Sequence, residues 1–137
     1  MGSDALQRLE DQLAIRELVA RYNYAIDEER PEEWVATFVS EGTFESTALG
    51  AHSGGDALLE FAKGYIAAFE GRHVTSDFVV TVDGDDATAR CYLIAVNAKT
   101  TPPSILTTAV YDDVLRRMPD GWRFVHRKVT PDTAFQH

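Results

Sequence analysis

The chain has little of the material from which disulfide-linked, zinc-binding, nucleic-acid-binding or membrane proteins are built. Its 137 residues include one cysteine, Cys91, which excludes an intramolecular disulfide and a zinc site made of cysteines. The formal net charge of −9 argues against binding to a nucleic-acid backbone or to an anionic membrane surface. Apolar runs stay far below the roughly 20 residues of a membrane span, and the charged N-terminus lacks the apolar core of a secretory signal. We therefore expect a cytoplasmic protein without nucleic-acid or membrane partners.

What the chain does contain is the balance of an ordinary globular domain. Apolar residues make up 45% and charged residues 26% of the sequence. A length of 137 residues suits one domain, covering 1–137, with a substantial core. Cys91 lies in the apolar run CYLIAV, so we expect a buried, inert thiol.

The first half of the sequence predicts three helices. Residues 4–27 form one long amphipathic pattern that ends at EERP, because Pro31 suits the first position of a new helix. The second predicted helix covers 31–38, and Asp56 is placed to cap a third over 57–69. In the first helix, Glu10 and Asp11 fall on the polar side. The apolar stripe that we expect to face the core consists of Leu6, Leu9, Leu13, Leu18, Tyr22 and Ile26.

The second half has the period of strands. The segments 73–82, 88–98, 104–117 and 122–130 are rich in β-branched and aromatic residues and are separated by turn sequences such as DGDD and PDG. A shorter strand is predicted over 42–49. Helices followed by a meander of strands indicate an α+β fold, with a mainly antiparallel sheet covered on one face by helices. A pocket between the two layers would suit a small molecule.

Asp27 and His73 are the first candidates for chemistry. An acid at the end of a helix opposes the macrodipole, and a carboxylate held there away from water is a better proton acceptor near neutrality. The simpler alternative is that Asp27 begins a solvated acidic run with Glu28 and Glu29. His73 opens a strand, where it could pass protons at neutral pH or only form a hydrogen bond at a strand edge.

Four further polar residues are candidates for the same site. Tyr24 shares a helix face with Asp27, whereas positions 22 and 27 lie about 140° apart around an ideal helix. Either Tyr22 or Tyr24 could donate a hydrogen bond to a substrate, or simply pack. Arg127 alternates with valines, which suggests a pair with Asp27, a role in steadying a leaving group, or an arginine that extends its charge to the edge of the sheet. Asn97 is a polar candidate for the pocket.

Metal binding has no support in the sequence. His52, His126 and His137 are scattered and match no ligand spacing. We therefore predict no metal. The segment GAHSGG also lacks the lysine of a P-loop and the pattern of a dinucleotide-binding site, so we predict no nucleotide cofactor either.

The segments IRELVARYNYAIDEERPEEWVATF, RHVTSDFVV, GDDATARCYL and DGWRFVHRKV, in this order, resemble the SnoaL-like family of the nuclear-transport-factor-2-like (NTF2-like) superfamily. The resemblance covers almost the whole chain. It implies a cone-shaped α+β barrel in which three N-terminal helices pack on a curved sheet around a deep apolar pocket, in a homodimer or homotrimer. Its enzymes, which include scytalone dehydratase, bile-acid 7α-dehydratase, hexachlorocyclohexane dehydrochlorinase and polyketide cyclases, work without a cofactor.

The resemblance also implies roles for individual residues. Asp27 and His73 match the aspartate–histidine pair of the dehydratases, and Arg127 matches an arginine of the dehydrochlorinase site. Tyr22 matches a tyrosine of the bile-acid enzyme, which favours a hydroxylated or carbonyl substrate. Asp77 stands where the family often has asparagine, and a second carboxylate in the pocket would change the local field.

The resulting expectation is a lyase, cyclase or isomerase that uses an Asp27–His73 proton relay on a small apolar polyketide, aromatic or steroid-like substrate. Two alternatives remain: a non-catalytic binding module or subunit similar to the β subunit of ring-hydroxylating dioxygenases, and an epoxide hydrolase of the limonene type built on Asp27, Arg127 and either Asp112 or Asp77. The residues expected to line the substrate pocket are Trp34, Phe38, Phe61, Tyr65, Asp77 and Asn97.

Overall fold

The computed structural model describes residues 2–133, which form three helices and six strands. The catalytic candidates are therefore all described, whereas His137 lies outside the described residues. In chain order the elements are α1 (Gly2–Asp27), α2 (Pro31–Val35), β1 (Phe38–Ser46), β2 (Gly50–Ser53), α3 (Gly55–Ala68), β3 (Arg72–Asp83), β4 (Asp86–Asn97), β5 (Ser104–Met118) and β6 (Gly121–Pro131).

The six strands form one open sheet in the order β2-β1-β6-β5-β4-β3. Every neighbouring pair is antiparallel except β1 and β6, which run parallel. The turn between β3 and β4 is tight, since Asp83 pairs with Asp86, and Gly84 between them has a φ of 62° that glycine adopts without strain. The predicted α+β class with a mainly antiparallel sheet is confirmed.

The helices cover one face of the sheet, as the alternation of buried and exposed residues along β4 indicates. Its odd-numbered residues from Ala87 to Ala95 are buried, whereas Thr88, Arg90 and Tyr92 between them are exposed. Most of these inward residues are small, so the helices can approach the sheet closely. Cys91 is one of them and is 2% exposed, which confirms the predicted burial of the thiol.

The buried face of α1 differs from the predicted stripe in its first half. Leu18, Tyr22 and Ile26 are buried as expected. In contrast, Leu6, Leu9 and Leu13 are 55%, 56% and 60% exposed. Residues 2–10 are exposed on every side of the helix, and Leu13 lies on a side of the helix away from the buried Asp11 and Ile15. The prediction that these three leucines reach the core is wrong.

Asp11, assigned above to the polar side of α1, is also placed differently. It is 4% exposed. Its two carboxylate oxygens accept hydrogen bonds from Arg117 Nη1 and Nη2 at 2.7 and 2.9 Å, and Trp122 Nε1 donates another at 3.3 Å. Arg117 is the next-to-last residue of β5 and Trp122 is the second residue of β6, so this contact attaches α1 to the hairpin between the two strands.

The short elements between α1 and β3 begin and end at other residues than predicted. Pro31 does begin α2, but the helix ends at Val35, and Phe38 opens β1 rather than continuing the helix. Gly54, with a φ of 86°, precedes α3 and takes the N-cap position that we assigned to Asp56. Asp56 instead lies in the first turn, where its charge complements the helix dipole.

Among residues 2–133, no helix combines the length and the apolar character that crossing a membrane requires.

Candidate active site

Asp27 and His73 meet where the end of α1 lies against the start of β3. His73 Nδ1 lies 2.6 Å from Asp27 Oδ1, and the backbone N–H of His73 donates to Asp27 Oδ2 at 3.0 Å. The two side chains are 8% and 11% exposed, so the pair is nearly closed off from bulk water. One carboxylate thus holds one histidine by two bonds, which fixes both the position and the rotation of the imidazole.

Tyr65 binds the other side of the same imidazole. Its hydroxyl lies 3.1 Å from His73 Nε2. Because the Asp27 carboxylate can only accept, Nδ1 carries the proton in neutral His73, and Nε2 accepts from the Tyr65 hydroxyl. The sequence predicts that Tyr65 lines the pocket, but not that it contacts the histidine. Its spacing with Phe61 and Phe69 on α3 predicts only packing, and no local signal distinguishes this phenol from the neighbouring rings.

His73 lies between an inner and an outer cavity. The inner cavity has about 50 Å³ of free volume and is lined mainly by apolar and aromatic side chains. The outer one has about 350 Å³ and a charged lining that includes Asp27, Glu28 and Lys99. Residues common to both linings are Ile26, Tyr65, Phe69, His73, Ala95 and Leu106. Nε2 is therefore placed where a ligand would pass from the charged mouth into the apolar interior.

Aromatic rings form the wall and the floor of the inner cavity. Trp34, Phe61 and Tyr65 follow one another along the wall, with ring centroids 5.9 and 6.1 Å apart, and the Tyr65 ring lies 5.7 Å from that of His73. Tyr22 and Tyr111 complete the lining at the end near Trp34. Phe38 does not line the cavity as predicted, since it packs behind Trp34 at a centroid distance of 5.0 Å.

Three residues predicted for the site lie elsewhere. Tyr24 is 60% exposed and lines neither cavity, because it points away from the buried face of α1. Asp77 is exposed and lies at a β-bulge, where its φ is 61°. The bulge shifts the alternation of inward and outward side chains along β3, so Asp77 does not share the side of His73. Asn97 lies at the end of β4, where its Oδ1 accepts from the backbone N–H of Lys99 in the turn to β5.

Arg127 is buried beneath the cavity and does not reach Asp27. Its Nε lies 3.0 Å from Asp113 Oδ1, and both side chains are fully buried. The two groups are not aligned for a hydrogen bond, so the contact is an ion pair. The guanidinium carbon lies 4.3 Å from the ring centroid of Tyr22 and 3.5 Å from that of Tyr111. The predicted pair with Asp27 and the alternative of an arginine at the sheet edge are both wrong.

Burial shapes the acid–base properties of these groups. It raises the pKa of Tyr65 and of Tyr111 above the ordinary value of 10. Burial also raises the pKa of Tyr22, although the nearby Arg127 charge opposes the shift. It raises the pKa of the Cys91 thiol to about 11, so the sulfur is a weak nucleophile. The phenols are therefore hydrogen-bond donors rather than bases at neutral pH.

No three histidine, cysteine, aspartate or glutamate side chains converge within residues 2–133 as a metal ion would require.

An open α+β sheet with a helix-covered pocket defines a protein of the NTF2-like, or cystatin-like, class. A model of the SnoaL-like domain matches residues 7–128, and the chain belongs to the SnoaL-like family.

Individual relatives support the same assignment. The uncharacterized protein Rv2910c of Mycobacterium tuberculosis is 30% identical over 133 residues, which cover 92% of this chain and 88% of that protein. A single-residue variant of Rv3472, a protein of unknown function from the same species, has a structure that matches with a TM-score of 0.88 at 31% identity, covering 93% of this chain and 75% of that one. An NTF2-like protein of Novosphingobium aromaticivorans matches with a TM-score of 0.84 at 27% identity, covering 95% and 87%.

Some structural neighbours have the names of enzymes. A candidate scytalone dehydratase from Novosphingobium aromaticivorans matches with a TM-score of 0.80 at 24% identity, covering 100% of this chain and 93% of that one. At this identity the match demonstrates a common fold, and the reaction has to be argued from the site itself.

Proposed function

We propose that the protein is a lyase or isomerase of the dehydratase and cyclase type, in which His73 moves a proton on a small, largely apolar substrate with a hydroxyl or carbonyl group. The observation that carries the proposal is the twofold attachment of His73 to Asp27, with Nε2 turned toward the cavity. A base needs a lone pair held in a fixed direction: Asp27 fixes the imidazole, and the Nε2 lone pair becomes free once the Tyr65 hydroxyl is displaced.

The proposed step begins when a substrate ring displaces the Tyr65 hydroxyl from Nε2. His73 then takes a proton from a carbon next to a carbonyl group, and the carboxylate of Asp27 stabilises the imidazolium that forms. In a dehydration the electron pair of the C–H bond becomes a C=C bond, the C–O bond breaks, and the imidazolium returns its proton to the leaving oxygen as water. In an isomerisation the proton returns to another carbon. Positioned acid–base catalysis of this kind contributes about 10²- to 10⁴-fold.

Proton exchange tests this proposal with probes that need not be the natural substrate. The protein is incubated in D₂O with a panel of small enolisable ketones, and deuterium uptake at the α-carbon is followed by NMR. We expect exchange with the wild-type protein and none above background with His73→Gln. A folded His73→Gln protein that exchanges at the wild-type rate would refute the role of the histidine.

The chain offers a matched control for this experiment. His126 Nε2 lies 3.0 Å from Glu45 Oε1, and both side chains are 37% exposed and line neither cavity. His126→Gln therefore removes an imidazole from a similar histidine–carboxylate pair outside the site. We expect the exchange rate of this variant to equal that of the wild type.

The two alternatives differ in their support. An epoxide hydrolase would need two carboxylates around an accessible arginine, but Arg127 is sealed, Asp77 is exposed, and Asp112 pairs with Arg90 at the surface. A binding module or structural subunit would use the same cavity without turnover. That reading is favoured if the protein binds small aromatic ligands, exchanges no protons with any ketone and copurifies with a larger partner.

A further inference from the structure

A second apolar space lies beside the inner cavity. It is a groove of about 490 Å³ between α3 and the turn from β1 to β2, and we call it the side groove. Among the described residues that line it, Glu60 has the one formal charge, whereas the outer cavity is lined by Asp27, Glu28, Glu29, Glu70, Arg72 and Lys99. An apolar part of a ligand is therefore accommodated better in the side groove than in the outer cavity. The lining residues that the side groove does not share with the inner cavity are His52, Ala57, Glu60 and Gly64.

One layer of side chains separates the side groove from the inner cavity. Leu49, Phe61, Tyr65 and Phe69 belong to both linings, and all four are only partly buried. The three aromatic residues are spaced by four along α3, so they share one side of the helix, with ring centroids 6.1 and 4.8 Å apart. A ligand that reaches past this layer would occupy both spaces.

Hydrogen bonds fix the turn that carries Leu49. Its backbone N–H donates to Ser46 Oγ at 3.1 Å, and its carbonyl oxygen accepts from His52 Nε2 at 3.1 Å. The His52 ring also packs on Phe61, with ring centroids 4.5 Å apart. The turn from β1 to β2 is therefore a rigid side of the groove.

The proposed reaction itself would open the wall at Tyr65. The hydroxyl of this residue lies 3.1 Å from His73 Nε2 and has to leave before the nitrogen can act as a base. Because the Tyr65 ring belongs to the layer between the two spaces, its displacement also widens the passage between them. The movement that frees the base thus gives a bound ligand access to the side groove.

The inner cavity is too small to hold more than a compact group. A single water molecule needs roughly 10–15 Å³ of such space, and the inner cavity offers about 50 Å³. Small-molecule sites usually bury most of the ligand surface. A substrate with its reacting group at His73 therefore needs a second space for the rest of its apolar surface.

Gly64 keeps the side groove open. It lies in the interior of α3, where a glycine destabilises a helix relative to alanine. A Cβ at this position would meet no other part of residues 2–133 within 4 Å, so close packing does not require the glycine. A glycine inside a helix usually has a packing or functional reason. Here the reason is the groove, since a larger side chain at position 64 would fill it.

We propose that the side groove is the subsite for an apolar chain of the substrate. The substrate is accordingly elongated. A compact ring with the carbonyl or hydroxyl group occupies the inner cavity next to His73, and an apolar chain on this ring passes Tyr65 and lies over Gly64. This proposal deepens the proposed function and rests on it for the position of the reacting group. Binding of the chain would help to hold the reacting carbon at Nε2.

A series of 4-alkylacetophenones tests the subsite, because the enolisable methyl ketone stays constant while the chain on the ring grows from methyl to hexyl. Equilibrium dialysis gives the dissociation constants whether or not the ketone reacts. We expect binding to the wild-type protein to tighten about two- to fourfold for each added CH₂ until the groove is full. Gly64→Leu should bind the methyl member like the wild type and lose most of the gain from longer chains.

Ala67→Leu is the matched control. It adds the same side chain to α3 at an exposed position that lines neither cavity nor the side groove, so it should keep the wild-type dependence on chain length. The proposal is overturned if chain length does not affect binding to the wild type, if Gly64→Leu keeps the full dependence, or if Ala67→Leu loses it equally. It is also overturned if Gly64→Leu changes the molar mass of the protein in solution and chain length has no effect, because the groove would then be a contact between two copies.

The two proposals can fail separately. His73→Gln should keep the dependence on chain length, since the lining of the side groove is unchanged. Proton exchange that depends on His73 but is indifferent to chain length keeps the proposed function and loses the subsite. Chain-dependent binding that Gly64→Leu abolishes, without any exchange that depends on His73, has the opposite meaning.

Discussion

Replacing Asp27 by asparagine should slow proton exchange far more than it destabilises the fold. The carboxylate accepts from both Nδ1 and the backbone N–H of His73, at 2.6 and 3.0 Å. An asparagine side chain has similar size but no charge, and one of its two terminal groups is a donor. It can satisfy one of the two bonds, but it cannot satisfy both while the imidazole keeps its orientation and its proton on Nδ1.

The magnitude follows from the charge that is lost. Two unit charges about 4 Å apart attract by about 4 kcal/mol at an effective dielectric constant of about 20. Both side chains are nearly closed off from water, so little of this attraction is screened. If one half to all of the imidazolium charge has developed in the transition state, the loss is about 2–4 kcal/mol, or roughly 30- to 10³-fold in rate. A switch of the neutral ring to the Nε2–H tautomer would add to this loss, because Nε2 would no longer be a base.

The assay is deuterium exchange into the best ketone of the panel, measured beside urea unfolding of the same preparation. We expect Asp27→Asn to lose about 1–2 kcal/mol of unfolding free energy, in keeping with one disrupted hydrogen bond at a buried site. Glu45→Gln, in the exposed pair with His126, is the control and should change neither quantity much. The reasoning is refuted if folded Asp27→Asn exchanges within threefold of the wild-type rate.

Two further predictions concern stability. Arg117 lowers the pKa of Asp11 below its ordinary value of 3.8, so the contact stabilises the fold above pH 3.8 and this stabilisation disappears as the pH falls through the lower, folded-state pKa. Urea titrations should show that Asp11→Asn costs about 1–3 kcal/mol at pH 7 and less at pH 2; an equal cost at both would contradict the ion pair. Gly71→Ala should cost at least about 2 kcal/mol, since a Cβ there would lie 1.9 Å from the carbonyl oxygen of Val96, whereas Gly64→Ala, in an open helical position, should gain about 0.5–1 kcal/mol. Similar unfolding midpoints for the two alanine variants would count against this packing.

The strands and their order in the chain could be predicted because their signal is local. Alternation and turn sequences predicted β3–β6 to within a few residues at each end. Which face of the sheet each residue of a strand occupies is harder to predict. Counting by two from His73 places Asp77 on the same side, but the bulge between Ser76 and Val79 shifts the register, and no local pattern in this segment indicates it.

The error in α1 has a different physical origin. A helical stripe predicts which residues share a face, but it does not say how much of the helix the rest of the protein covers. Residues 2–10 of the helix are exposed on every side, so Leu6 and Leu9 have no core to enter. Asp11 is buried because Arg117 and Trp122, more than one hundred residues away in the sequence, supply its partners. Such compensation by distant residues is visible only in three dimensions.

In the proposed site, too, some residues have a local signal in the sequence and others depend on distant parts of the chain. Asp27 and His73 could be singled out from the sequence, one from its position against the helix dipole and both from the family resemblance. The contacts of Tyr65 and Tyr111 could not be predicted, because within its own helix or strand each has the pattern of an ordinary packing residue. Their importance depends on the position of the two hydroxyl groups in the folded protein, which is set by the packing of α3 and β5 against the other elements.

Helix α1 connects the two ends of the proposed site. Within six residues it places Tyr22 at the floor, Ile26 in the wall and Asp27 beside the base, all on one rigid element. The base itself lies on β3, but two hydrogen bonds tie it to Asp27, so the distance between the floor and His73 Nε2 is set mainly by about one and a half turns of helix. An acid at the unfavourable end of the helix dipole is tolerated because both of its oxygens are occupied by His73. The carboxylate therefore has two roles, since it holds the histidine in a fixed position at the cavity and prepares it to accept a proton.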